Sequence, residues 1–161
     1  MPRGKSKNMD FLSNTDWSFP IPIYYGPDRI KELPNLCKLN NLKRPLIVTD
    51  RGSSTLPFIN DLLKDLNNSH IKCNLFSEIS PNPLDKEINN GKHAFNNGSH
   101  DSIIAIGGGS GMDGGKAISL IANNSQRLWE FDYDKPPITK LNNFPPLICI
   151  PTTAGTGAET E

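Results

Sequence analysis

Two apolar runs, PLIVTD at residues 45–50 and SIIAI at residues 102–106, constrain the fold of this chain most. Neither alternates apolar with polar positions, so each suits a strand covered on both faces. Between and after them lie segments with helical spacing: STLPFINDLLKDLNN (54–68), LDKEINNGKHAFNNG (84–98) and a stretch from Met112 to about Asn123. IKCNLFSEI (71–79) and the apolar part of LNNFPPLICIPTTAGTGAETE (141–161) supply further strands. Strands alternating with helices indicate a parallel sheet with helices packed on its faces, an α/β class.

The amino-terminal part is less regular. Residues 1–18 are polar and pattern-free, which predicts a flexible arm, with residues 19–161 as one α/β domain. PIPIYYG (20–26) reads as a short strand whose prolines suit a sheet edge. PDRIKELPNLCKLN (27–40) reads as a helix with Asp28 in its first turn; Pro34 is awkward inside it, because proline removes a backbone donor.

Charge and cysteine usage exclude several functions. Seventeen basic and seventeen acidic residues cancel to a formal net charge of zero, so nothing here is built to hold a nucleic acid or an anionic membrane. Cys37, Cys73 and Cys149 are odd in number and form no CxxC pair, which fits free thiols in a reducing, cytoplasmic setting. The basic start is not followed by the apolar region of a secretion signal, and no run approaches the ~18 apolar residues of a membrane span. Glu161 follows a glycine-rich turn directly, and the last apolar strand has no covering segment after it. The chain therefore reads as a fragment, or as a half that another chain completes.

The stretch SIIAIGGGSGMDGGKAISLIANN (102–124) carries the strongest functional signal. Glycine between a strand and a helix lets an anion approach backbone N–H groups at a helix amino terminus, where the dipole also favours negative charge. The Walker A spacing fails, since its first glycine would fall on Ser110 and its hydroxyl on Ala117. GxGxxG occurs literally at Gly109, Gly111 and Gly114, but after earlier strands and with the strand-end acid, Asp50, upstream rather than downstream. A tight turn alone is the plainer alternative.

A third frame fits throughout: Gly107, Gly108, Gly109, Ser110, then Asp113, then Lys116, a GGGSxxDxxK motif. Here the chain resembles the iron-containing, group III alcohol dehydrogenases. PTTAGTGAE (151–159) is similar to that family's PTTAGTGSE, with Ala158 where serine is usual, and YYGPDRIKELP, LIVTD and PNP resemble further family stretches in order. The resemblance covers nearly everything after the arm. It implies a Rossmann-like, dehydroquinate-synthase-like nucleotide domain, with the helical metal-binding half not among these residues.

What the resemblance implies for named residues follows. Gly108, Gly109 and Ser110 would hold a dinucleotide pyrophosphate, and Asp113 and Lys116 would lie toward the nicotinamide side, with an i,i+3 surface ion pair as the plainer alternative for those two. Asp50 would accept hydrogen bonds from the adenosine ribose and repel a 2′-phosphate, favouring NAD over NADP. It could instead start the turn DRGS, leaving Arg51 to receive the phosphate. Asn82 is a cofactor contact by analogy or a turn asparagine. Thr152, Thr153 and Thr156 would face the adenine and phosphates, with the Ala158 substitution removing one hydroxyl. His70, His93 and His100 show no metal-ligand spacing and read as solvated positions; the family's divalent iron or zinc would be bound elsewhere.

The implied activity is hydride transfer between NAD(P) and a small alcohol or aldehyde, in an enzyme that could be a homo-oligomer, this chain being its cofactor half and inactive alone. The alternatives are a catalytically inactive nucleotide-binding remnant, and a fragment of a glycerol-dehydrogenase-like or dehydroquinate-synthase-like enzyme.

Overall fold

The computed structural model describes residues 15–18, 21–155 and 157–160. In chain order the elements are β1 (Thr15–Ser18), β2 (Pro22–Tyr25), α1 (Leu33–Leu39), β3 (Pro45–Asp50), α2 (Pro57–Asn68), β4 (Asn74–Ile79), α3 (Asp85–Asn97), β5 (Ser102–Gly107), α4 (Gly109–Ala122) and β6 (Leu147–Pro151).

The last four strands form one parallel sheet in the order β4-β3-β5-β6. Chain order reverses between β3 and β5, so their carboxyl ends flank a topological switch point. Residues within each central strand face alternate sides. Ile47, Ile104 and Ile106 pack with α1 and α2 through Leu33, Ile59, Leu62 and Leu66. Leu46, Val48, Phe76 and Ile103 pack with α3 and α4 through Ile88, Phe95, Ile118 and Ile121. Helices thus cover both faces, as a single crossover hand requires when the winding direction changes. β3 and β5 are buried almost throughout, which accounts for their unbroken apolar sequence.

Four details depart from the sequence expectation. The final residues of the expected arm, Thr15–Ser18, form β1 and pair antiparallel with β2, from Thr15 opposite Tyr25 to Ser18 opposite Pro22. Residues 1–14 lie outside the described residues. Pro22 therefore belongs to a separate two-stranded ribbon rather than to the edge of the main sheet, and Pro20 lies outside the described residues. Pro34 is accommodated because a 3-10 turn at Arg29–Glu32 precedes α1, placing the proline in the first turn of α1, where its missing N–H costs nothing. Asp28 sits before that turn with φ 61°, a left-handed conformation that aspartate tolerates.

The fourth concerns the glycine-rich segment. The helix expected from Met112 begins at Gly109, so the segment is largely the first turn of α4 rather than a free loop.

Candidate functional site

All strands of the main sheet run the same way, so Asp50, Ile79, Gly107 and Pro151 end on one edge. The register Asp50 opposite Ile79 and Gly107 opposite Pro151 keeps those ends level. The glycines of the GGGSxxDxxK segment fall there, and they divide by function.

Some serve packing. A Cβ on Gly115 would lie 2.4 Å from the Ala105 Cβ, so only glycine lets α4 sit this close to β5. Gly107 has φ +149°, and a Cβ there would meet the Asp50 carboxylate at 2.7 Å. Gly108 and Gly109 are different: their nearest neighbours to an added Cβ are Thr153 Oγ1 at 3.5 Å and Asp113 Oδ2 at 3.9 Å. That is ordinary contact, so neither fold geometry nor packing forbids a side chain there.

The start of α4 is correspondingly bare. Gly108 is its N-cap and offers no side-chain cap, and the first turn holds no acid. The helical ladder begins with the Met112 N–H on the Gly108 carbonyl at 3.1 Å. The N–H groups of Gly109, Ser110 and Gly111 therefore have no acceptor within the helix. Backbone donors and a dipole end beside a cleft make a place suited to an anion such as a diphosphate.

The wall opposite is the loop after β6. The Thr152 N–H donates to the Gly107 carbonyl at 2.9 Å, extending the ladder and hanging the loop over the glycines. Gly109, Met112, Thr153, Gly155, Ala158 and Glu159 line a small cleft between this loop and α4. Thr153 is thus brought to the glycines; Thr152 joins through its backbone, and Thr156 lies outside the described residues. Ala158, expected from the resemblance to be serine, is buried and packs inward.

Asp50 stands at the end of β3 as a turn residue: its Oδ1 accepts the Ser53 N–H at 2.8 Å and its Oδ2 the Ser53 hydroxyl at 2.7 Å. The carboxylate remains beside Gly107, and a carboxylate has lone pairs beyond those two bonds. The turn DRGS offered in the sequence as the plainer role for Asp50 is therefore present, although Ser53 was not singled out as its hydrogen-bonding partner.

Asn82 is exposed, and its carbonyl accepts the Ser80 hydroxyl at 2.8 Å. The PNP turn is organised from below by Glu87, which sequence reasoning also missed. Glu87 Oε2 accepts the Ser80 N–H at 3.1 Å, the Ser80 hydroxyl at 2.8 Å and the Leu84 N–H at 3.1 Å. The Leu84 contact is half of a capping box, a pattern that an acid three residues past the N-cap could have signalled. Burial alone would raise the Glu87 pKa, but the Ser80 and Leu84 donors and the Arg51 charge outweigh it and lower it below the ordinary glutamate value.

Asp113 and Lys116 lie one turn apart on α4 with Oδ1 and Nζ separated by 4.0 Å. Cys149, on β6, shares their surroundings: its thiol pKa is raised chiefly by burial, with Glu159 and Asp113 adding to the rise and Lys116 opposing it.

The histidines are scattered. His70 and His93 are exposed, but His100 is not the solvated residue that the sequence suggested. It is buried, its Nδ1 2.8 Å from the Arg44 carbonyl oxygen, at the opposite edge of the sheet. Among the described residues no group of three or more His, Cys, Asp or Glu side chains could hold a metal ion, so these residues do not fit a metal centre.

An open parallel sheet with a bare helix start at its switch point defines the class, a doubly wound α/β domain. Residues 20–161 match the family described as iron-containing alcohol dehydrogenase, and the chain belongs to that family. It is 32% identical over 146 residues to the 1,3-propanediol dehydrogenase of Citrobacter freundii, covering 89% of this chain and 37% of that protein. It is 30% identical over 150 residues to the NAD-dependent methanol dehydrogenase of Bacillus methanolicus, covering 91% of this chain and 38% of that one. The crystal structure of a 1,3-propanediol oxidoreductase superposes with TM-score 0.75 at 32% identity, over 83% of this chain and 34% of the other. The chain spans little more than a third of the length of these two curated relatives.

Proposed function

We propose that this chain is the cofactor-binding half of an NAD-dependent alcohol dehydrogenase acting on a small alcohol or aldehyde. The observation that carries the proposal is the uncapped start of α4 at the switch point, with Gly108 and Gly109 open and the Thr153 loop facing them. The match to an oxidoreductase family, and to a relative whose name states NAD dependence, supports the same reading.

Bound NAD supplies the acceptor for a hydride leaving the alcohol carbon. The residues of this chain have binding tasks. The N–H groups of Gly109 and Ser110 hold the pyrophosphate, and Thr153, with Thr152 and Thr156, closes over the adenine and phosphate side. Asp50 places negative charge where a 2′-phosphate would lie, and Asn82 sits on the neighbouring turn. Asp113 and Lys116 face the nicotinamide side. The metal implied by the family description has no ligand set among the described residues. A reducing compartment such as the cytoplasm suits the three free thiols; no helix among the described residues is long and apolar enough to cross a membrane.

Titration calorimetry of the chain with NAD and NADP, beside Asp50→Ala, tests the reading. NAD is expected to bind more tightly, with Asp50→Ala narrowing the gap by about tenfold, the factor of about 1.4 kcal/mol. Equal affinities in the parent chain would remove the NAD assignment.

A further inference from the structure

Arg51 follows Asp50 directly and carries the kind of side chain that receives a 2′-phosphate in other doubly wound domains. Its backbone is pinned at the sheet edge: its N–H donates to the Ile79 carbonyl at 3.0 Å, and its carbonyl accepts the Ser54 hydroxyl at 2.8 Å. Its guanidinium is not left to roam either. Arg51 Nη2 donates to Glu87 Oε1 at 2.8 Å.

The two partners differ in freedom. The Arg51 side chain is 61% exposed, whereas the Glu87 side chain is 9% exposed. Glu87 is fixed through its other oxygen by Ser80 and Leu84, so only the arginine loses conformational freedom when the pair forms. Withdrawing the guanidinium would leave Oε1 of a buried carboxylate without its charged donor, which is costly even where an exposed ion pair is worth little.

We infer that Glu87 is a positioning residue for cofactor choice: it holds the Arg51 guanidinium at the PNP turn and so withholds it from a 2′-phosphate beside Asp50. Selection against NADP then has two parts, a carboxylate that repels the phosphate and a cation kept engaged on the neighbouring turn. The inference rests on the nucleotide-binding reading above.

Titration of the full chain with NAD and NADP at one fixed salt concentration, for the parent, Arg51→Met, Glu87→Gln and the double variant, tests it. Glu87→Gln is expected to tighten NADP binding about tenfold while leaving NAD within about twofold, the scale of one charge-assisted hydrogen bond gained. The double variant loses that gain. Arg51→Met in the parent background leaves NADP affinity within about twofold, since the guanidinium does not reach the phosphate there.

A tenfold weakening of NADP by Arg51→Met alone overturns the inference, as does unchanged NADP affinity in a folded Glu87→Gln chain. Should Glu87→Gln lose the parent's circular dichroism, the Arg51→Met arm decides. A parent chain that binds neither nucleotide overturns the inference together with the reading beneath it; a parent that binds NAD while all variants behave alike overturns the inference only.

Discussion

The two edges of the main sheet end in different ways. At the amino edge Asp101 Oδ2 accepts the Lys43 and Arg44 N–H groups at 2.8 and 3.0 Å, and its Oδ1 accepts the Ser102 hydroxyl at 2.7 Å. Arg44 Nη2 reaches the Gly98 carbonyl at 2.6 Å, and His100 meets the Arg44 carbonyl. Side chains thus meet the backbone where the chain enters β3 and β5. At the carboxyl edge Asp50 and Glu87 do the same for the ends of β3 and β4, but the start of α4 has no such partner. The starts of α1 and α2 also lack a side-chain cap, but each carries a proline in its first turn, whereas α4 starts on Gly108 and Gly109 with the Thr153 loop facing them, which is why we assign that start to a ligand.

The largest test of this contrast lies inside a single helix. Gly115→Val drives a branched side chain into Ala105 and is expected to cost about 3 kcal/mol in urea unfolding. Gly108→Ala, seven residues earlier, adds a methyl group in ordinary contact with Thr153 and is expected to change stability by less than about 1 kcal/mol. Its expected effect is on NAD, weakened about tenfold because the diphosphate can no longer approach the backbone. A Gly108→Ala chain that binds NAD like the parent would show that the open edge is not where the nucleotide sits.

At the closed edge, Asp101→Ala is expected to cost about 1–2 kcal/mol, because the amides it releases can still find water. NAD affinity should stay unchanged, as the site lies at the far ends of the strands. A loss of affinity matching the loss of stability would mean that the two edges are not independent.

A smaller effect follows from Glu87. Its folded pKa lies below its unfolded value, so its contribution to stability is present above the unfolded pKa of about 4.3 and is lost as pH falls through the folded one. Unfolding measured from pH 6 downward should show stability falling below about pH 4, with Glu87→Gln flattening that part of the profile. A parallel profile in the variant would mean that other carboxylates carry the acid sensitivity.

Much of this contrast was legible in the residues. PLIVTD and SIIAI identified the buried parallel strands because two-sided burial removes polar alternation, and the glycines located the switch point. The division of labour among the glycines was not legible, since Gly115 and Gly108 differ only in which neighbour their missing Cβ would meet. Nor was the Arg51–Glu87 pair, whose members stand 36 residues apart on different elements. His100 reads as polar in sequence, yet the Arg44 carbonyl that makes its burial tolerable comes from the connection before β3. Local pattern reports periodicity and caps; it does not report partners that only the sheet brings together.

The smallest expected effect separates two accounts of Asp113 and Lys116. Their 4.0 Å separation at partly exposed positions is that of a loose surface pair, and Asp113→Ala should change stability by only about 0.2–0.5 kcal/mol. As a pair with no further task, the substitution would leave NAD affinity equally untouched. If instead these side chains face the nicotinamide, removing the acid leaves Lys116 unopposed beside a ring that is cationic in NAD and neutral in NADH. Asp113→Ala should then weaken NAD more than NADH, a change in the ratio of the two affinities read by titrating both nucleotides. Because stability barely moves in either case, that ratio isolates the electrostatic role, and a ratio equal to the parent's would return both residues to the surface.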